Sequence, residues 1–233
     1  MAHQQRRERE KEAVRKKILD AARRLFIDQG YEAVTMRKIA QAIEYSPTAI
    51  YLHFRDKKAV MDAICDADFL SLARRFRKIA ETADPIERLR AAGFAYAEFA
   101  MKHPNHYRLM FMTPHPPHDP ETSAIDVGNR DEDAYAFVLW TATEAIAQGR
   151  IRAEIADPEL LAQMVWASIH GWVSLRMTKC NEKWVDWRPT KRSIEAMVEM
   201  TIRGVIGSAP GGGPGSPSST EGAPLKNVVP KAR

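Results

Sequence analysis

Residues 35–54 read Thr35-Met36-Arg37-Lys38-Ile39-Ala40-Gln41-Ala42-Ile43-Glu44-Tyr45-Ser46-Pro47-Thr48-Ala49-Ile50-Tyr51-Leu52-His53-Phe54. Thr35 is an N-cap type, and the apolar positions 36, 39, 40 and 43 fall on one face of a short helix. Glu44-Tyr45 is a tight connection. Ser46-Pro47 then supplies an N-cap and a first-turn proline for a second short helix, expected over residues 47–54. Two helices of two or three turns joined in this way form a helix-turn-helix, whose second helix enters the major groove of DNA.

Around this stretch the period stays helical. Ile18, Ala21, Ala22 and Leu25 form a stripe, with Gly30 placed to end the helix. Asp84-Pro85-Ile86-Glu87 opens a helix reaching about Lys102, and a short one follows from Pro104 to about Met112. Residues 113–128 hold four prolines before Gly128 and read as a long loop. Asn129 with Glu132 reads as a capping box leading into Tyr135, Val138, Leu139, Ala142 and Ile146. Asp157-Pro158 opens a helix whose apolar residues lie on more than one face, so it must be covered on both sides, by its own domain or by a partner chain. A last helix carries Ile194, Met197, Val198, Ile202 and Val205. Alternating strand patterns are absent, and the expected fold is all-α.

Charge divides the chain. Of its 233 residues, the first 64 carry 14 Lys or Arg against 9 Asp or Glu, and the remainder carry 21 of each sign. A basic head on a neutral body suits polyanion binding, and a solvated basic face is the plainer account. No apolar run approaches a membrane span of about 18 residues, and the charged N-terminus is not a secretory signal. Cys65 and Cys180 make no disulfide framework or metal knuckle, so a reducing, cytoplasmic setting is expected. The expected organisation is a flexible basic arm (1–10), a DNA-binding head (11–58), a body (59–207) and a disordered tail (208–233), where ten of 26 residues are Gly or Pro.

The head resembles the tetracycline-repressor (TetR) family of bacterial transcription regulators. The matching string runs from Ile18-Leu19-Asp20-Ala21-Ala22-Arg23-Arg24-Leu25-Phe26 through Gly30-Tyr31, Thr35 and Ile39-Ala40. It continues through Ser46, Ile50-Tyr51-Leu52-His53-Phe54 and Asp56-Lys57. The resemblance implies an N-terminal three-helix DNA-binding domain and a C-terminal helical bundle for ligand binding and dimerisation. Thr35 is then expected to hold a phosphate, Arg37 and Ser46 to contact the DNA, and Pro47, Thr48 and Ala49 to lie at base edges, where methyl groups suit thymine. Tyr51, His53 and Lys57 match backbone-contacting positions, although Tyr51 also suits packing, and Lys58 is more often simply solvated. Arg6, Arg7 and Arg9 are placed to reach a minor groove. The family usually has Gly where this chain has Glu44, so a strained turn is expected if φ is positive there.

Trp166-x-x-x-His170-Gly171 resembles a TetR subgroup named for those residues, as do Ala95-Tyr96, Phe99-Ala100 and His103-Pro104-x-x-Tyr107-x-x-Met110-Phe111. This implies a homodimer through helices near 157–179 and 190–206 and an apolar or aromatic small-molecule effector. Candidate effector contacts are Tyr96, Phe99, Met110, Phe111, Phe137, Trp140, Met164, Trp166 and His170, all of which would equally serve as packed core.

Three functions follow: a ligand-responsive repressor on a palindromic operator, a DNA-binding regulator whose body only dimerises, and a metal-dependent enzyme using the His115/His118 loop with Asp119, His103 and His106. The loop lacks helical zinc spacing, and the chain lacks a nucleophile elbow or a phosphate-cradling loop, so catalysis ranks last. No cofactor is called for.

Overall fold

The structure is a computed structural model that describes residues 2–117 and 123–207. The expected tail at 208–233 lies outside the described residues, as do His118 and Asp119. Among the described residues every regular element is a helix, apart from one isolated antiparallel bridge between Ile151 and Ile206.

The head comprises α1 (Ala2–Gln29), α2 (Met36–Ala42), α3 (Pro47–Tyr51) and the first half of α4 (Lys57–Arg77). Residues 2–10, expected as a flexible arm, continue α1 instead. No Gly or Pro interrupts the run up to Gln29, and adding turns to an established helix avoids the cost of nucleation. Arg6 pairs with Glu10 one turn on, at 2.8 Å. The helix stops at Gly30, whose φ is +78° and whose N–H donates to Phe26 O.

Thr35 Oγ1 accepts from Lys38 N, and Ser46 Oγ accepts from Ala49 N, both at 3.2 Å, so both caps form as their residue types dictate. The second helix is shorter than expected and ends at Tyr51, and just past it His53 N donates to Ile50 O three residues back, the tighter 3₁₀-type bond common at helix ends. Between the helices Glu44 has φ +60°. Tyr45 N donates to Ala40 O and Glu44 N to Gln41 O, the paired bonds of a Schellman termination with glutamate at the left-handed position.

The head core gathers Ile18, Ala22, Phe26, Ile39, Ala40, Ile50 and Phe54, and it runs on into Val60, Met61, Ile64 and Cys65 of α4. The head therefore does not end at residue 58 as expected: α4 is one uninterrupted helix whose first turns complete the head and whose last turns enter the body. Burial pushes the Cys65 thiol up to about 12, with Asp68 the next cause, so it stays a thiol.

The body comprises the rest of α4, α5 (Pro85–Lys102), α6 (Pro104–Phe111), α7 (Ala134–Ala147), α8 (Pro158–Lys179) and α9 (Thr190–Val205). Asp84, Asp133 and Asp157 cap α5, α7 and α8. The start of α7 differs from expectation. Asn129 takes the N–H of Asp131 in a turn of its own, and Asp133, immediately before the apolar stripe, caps the helix. Helix α5 packs against α7, α8 and α9, which gives the body one core around Leu89, Tyr96, Phe99, Phe137, Leu161 and Ile169.

Candidate functional site

Two regions carry chemistry, the outer face of α2–α3 and a cavity in the body. On the first, Thr35, Arg37, Ser46, Pro47 and Thr48 are exposed, and Ala49 is half-buried. Tyr51 is 54% exposed, which removes the packing account of it, whereas Phe54 is core. Lys57 is held by the head itself: Nζ donates to Tyr31 O at 2.8 Å and sits 4.0 Å over the Tyr31 ring. His53 is half-buried with no partner for Nδ1. Burial, then the charges of Lys11 and Arg15, hold its pKa below the usual 6.5.

Arg6, Arg7 and Arg9 are exposed on a helix. They were expected ahead of the first helix, and the structure instead places them within α1. Lys11 and Arg15 lie with Arg7 at i, i+4 and i+8 on α1. Arg15 stacks 4.3 Å over Phe54, just beyond α3.

The body cavity has a volume of about 350 Å³ and lies among α4, α5, α6, α7 and α8. Of the expected contacts, Tyr96, Met110, Phe111 and Trp166 line it. The other five do not. Phe99 is fully buried against His103. Phe137 packs on Phe76 and Trp140. Trp140 is stacked by both Arg88 and Arg130, each 4.0 Å from its ring centroid. Met164 points outward and is 49% exposed. His170 is not on the wall but is bonded to it. Each of the five lies on a helix that also touches the cavity, and periodicity does not distinguish a face lining a void from a face packed on a neighbour. Phe69, Leu72 and Phe76 of α4 also line it, and their helical i, i+3, i+7 spacing is the signal that sequence reasoning missed.

Behind the wall runs a chain of hydrogen bonds. Trp166 Nε1 donates to the Tyr96 hydroxyl at 3.1 Å, the hydroxyls of Tyr96 and Tyr107 are 3.1 Å apart, Tyr107 reaches His170 Nδ1 at 2.5 Å, and His170 Nε2 meets Ser174 Oγ at 3.1 Å. Burial lowers the His170 pKa and raises those of both tyrosines. The imidazole is then neutral and the phenols keep their protons. One direction of donation, from Trp166 through Tyr96 and Tyr107 to Nδ1 and from Nε2–H to Ser174, satisfies every member.

The histidine loop has no comparable order. His115 Nδ1 bonds the carbonyl of Pro116, His106 Nδ1 bonds Asp68, and His103 contacts Arg75. Among the described residues no three His, Cys, Asp or Glu side chains are grouped to hold a metal. Nor, among them, is any helix long and apolar enough to cross a membrane.

Residues 18–64 match the model for bacterial regulatory proteins of the tetR family, and residues 89–201 match a tetracyclin repressor-like C-terminal domain. The transcriptional repressor Rv1474c of Mycobacterium tuberculosis is 48% identical over 56 residues, 24% of this chain and 30% of its own length. The transcriptional repressor KstR2 of Mycolicibacterium smegmatis is 27% identical over 170 residues, covering 71% of this chain and 79% of that protein. The crystal structure of the regulator PfmR from Thermus thermophilus has a TM-score of 0.62 at 23% identity, covering 80% of this chain and 97% of that one, a likeness of fold. The helical fold described above is thus that of a known architecture. The chain belongs to the tetR family of bacterial regulatory proteins, helix-turn-helix transcriptional regulators that bind DNA.

Proposed function

We propose that this protein is a homodimeric repressor of a palindromic operator and that a small apolar or aromatic molecule in the body cavity releases it. One observation carries the reading. Helix α6 places Met110 and Phe111 on the cavity wall and buries Leu109, the residue before them, in the head core. A ligand that moves α6 therefore acts on both units, and favours a dimer whose recognition helices no longer match half-sites about 34 Å apart. Thr48 and Ala49 read base edges. Thr35, Arg37, Ser46, Tyr51 and Lys57 hold the backbone, as do Arg6 and Arg7 from the helical side of α1.

The second subunit is expected on the outer faces of α8 and α9. Leu160, Met164, Ala167, Gly171 and Leu175 form one stripe on α8, and Ala196, Met200 and Gly204 form one on α9. Leu175 and Met200 are 56% and 64% exposed, and a Cβ added at Gly171 or Gly204 would meet open space. Such faces suit a four-helix contact between two copies. A regulator whose body only dimerises has no need of the cavity, which is why the ligand-responsive reading is preferred.

The test is binding to the DNA upstream of the protein's own gene, titrated across salt, beside the Thr48→Ala/Tyr51→Ala variant. Tight binding, a steep fall with salt and loss in the variant are expected. Weak binding that the variant retains would overturn the assignment of the DNA-reading face.

A further inference from the structure

Charge is distributed unevenly on the cavity wall. Among the described residues that line it there is no Lys, Arg or His, and a single carboxylate, Asp133. That carboxylate is committed to the start of α7: Oδ1 accepts from Tyr135 N at 2.8 Å and Ala136 N at 3.2 Å, and Oδ2 accepts from Gly128 N at 3.1 Å. A helix N-terminus is where a fold most readily receives an anion, and here the chain's own side chain fills that place.

The remaining polar groups of the wall are also engaged inside the protein. Trp166 and Tyr96 bond each other, and Tyr135 donates its hydroxyl to Glu159 at 2.5 Å. The guanidinium groups of Arg88 and Arg130 are drawn onto the Trp140 ring, which is not part of the wall. A ligand carboxylate drawn in against this wall would find no counter-charge and would lie near Asp133, and a ligand ammonium would meet a carboxylate that already accepts three N–H groups. Burying an unpaired charge is among the costliest events in a protein interior.

We infer that the cavity takes an uncharged, largely hydrocarbon molecule and that Asp133 turns carboxylates away. The inference rests on the cavity being the effector site, and the experiment separates the two.

Calorimetric titration of the full chain at pH 8 with 1-decanol, decanoate and decylamine compares one skeleton in three charge states. Decanol is expected to bind, and the two ions at least about tenfold more weakly, as a buried unpaired charge requires. In Asp133→Asn the cap is retained, since Asn caps as well as Asp, and decanoate is expected to gain on decanol. Ala92→Trp, or Val138→Phe if the first does not fold, fills the cavity and is expected to abolish decanol binding. Decanoate or decylamine binding as tightly as decanol would overturn the neutral-ligand inference and leave the cavity as the effector site. An unchanged ratio in Asp133→Asn would remove Asp133 from the selection. Absence of all binding, or decanol binding that survives cavity filling, would overturn the site itself.

Discussion

Asp68 on α4 receives Arg23 of α1 on both carboxylate oxygens, and its Oδ1 also lies 2.7 Å from His106 Nδ1 of α6. The Asp68 and Arg23 side chains are only 4% and 12% exposed, so this pair ties the head to the body with little water between. Removing one partner leaves an uncompensated buried charge. Arg23→Ala is expected to lose about 3 kcal/mol, the lower part of the range for breaking a buried pair, because His106 still faces Asp68. Urea unfolding of Arg23→Ala, Asp68→Ala and the double variant checks it: the double variant should lose less than the two single losses combined. Simple additivity would mean that the pair is not coupled.

The turn before the recognition helix offers a stabilising change. Glu44 sits at φ +60° in a position that glycine takes without steric cost. Glu44→Gly is expected to raise stability by about 1 kcal/mol, the left-handed penalty for a residue with a Cβ. Glu44→Ala keeps that Cβ and should not. Thermal unfolding of both variants decides it, and equal melting temperatures would show that the turn holds no strain.

Acid should weaken the fold. Burial is the first cause of a lowered pKa at His53, His103 and His170 alike. An unfolded chain protonates these groups near 6.5 while the folded one resists, so the unfolded state binds more protons and stability falls as pH drops below about 6.5. His170→Gln, which keeps a donor and an acceptor toward Tyr107 and Ser174, is expected to show a shallower fall between neutral pH and pH 5. Denaturant midpoints across pH test this, and a native chain whose stability is flat over that window would contradict it.

The outward stripe of α8 makes a prediction about assembly. Leu175 touches little within its own chain, so Leu175→Glu should leave the secondary structure intact while placing two carboxylates face to face across a two-fold axis. Light scattering should report a dimer for the native chain and a monomer for the variant, with operator affinity reduced by at least about tenfold as the second half-site contact is lost. A variant that stays dimeric would move the interface elsewhere.

Much of this molecule is legible locally. Thr35, Ser46, Asp84 and Asp157 cap the helices their side-chain chemistry nominates, because a cap is a bond between residues three apart or fewer and needs no tertiary partner. The same locality makes Glu44 conspicuous, and its positive φ follows from where α2 has to end. Residues 2–10 mislead because their charged composition suggests disorder, whereas helix propagation depends on what precedes and follows. Asn129 misleads because Asp133 competes for the same role four residues later.

The sequence by itself determined most of the helices and the helix-turn-helix, since these rest on propensity, capping and a period of 3.6 residues. Only the tertiary structure decided which apolar residues surround a void. Tyr96 and Phe99 sit three apart on α5 and are both buried, yet one lines the cavity and the other is packed under Arg75 and His103. Periodicity says which face of a helix turns inward. Where inward ends in empty space depends on how five helices meet, and that is set by contacts between residues far apart in the chain.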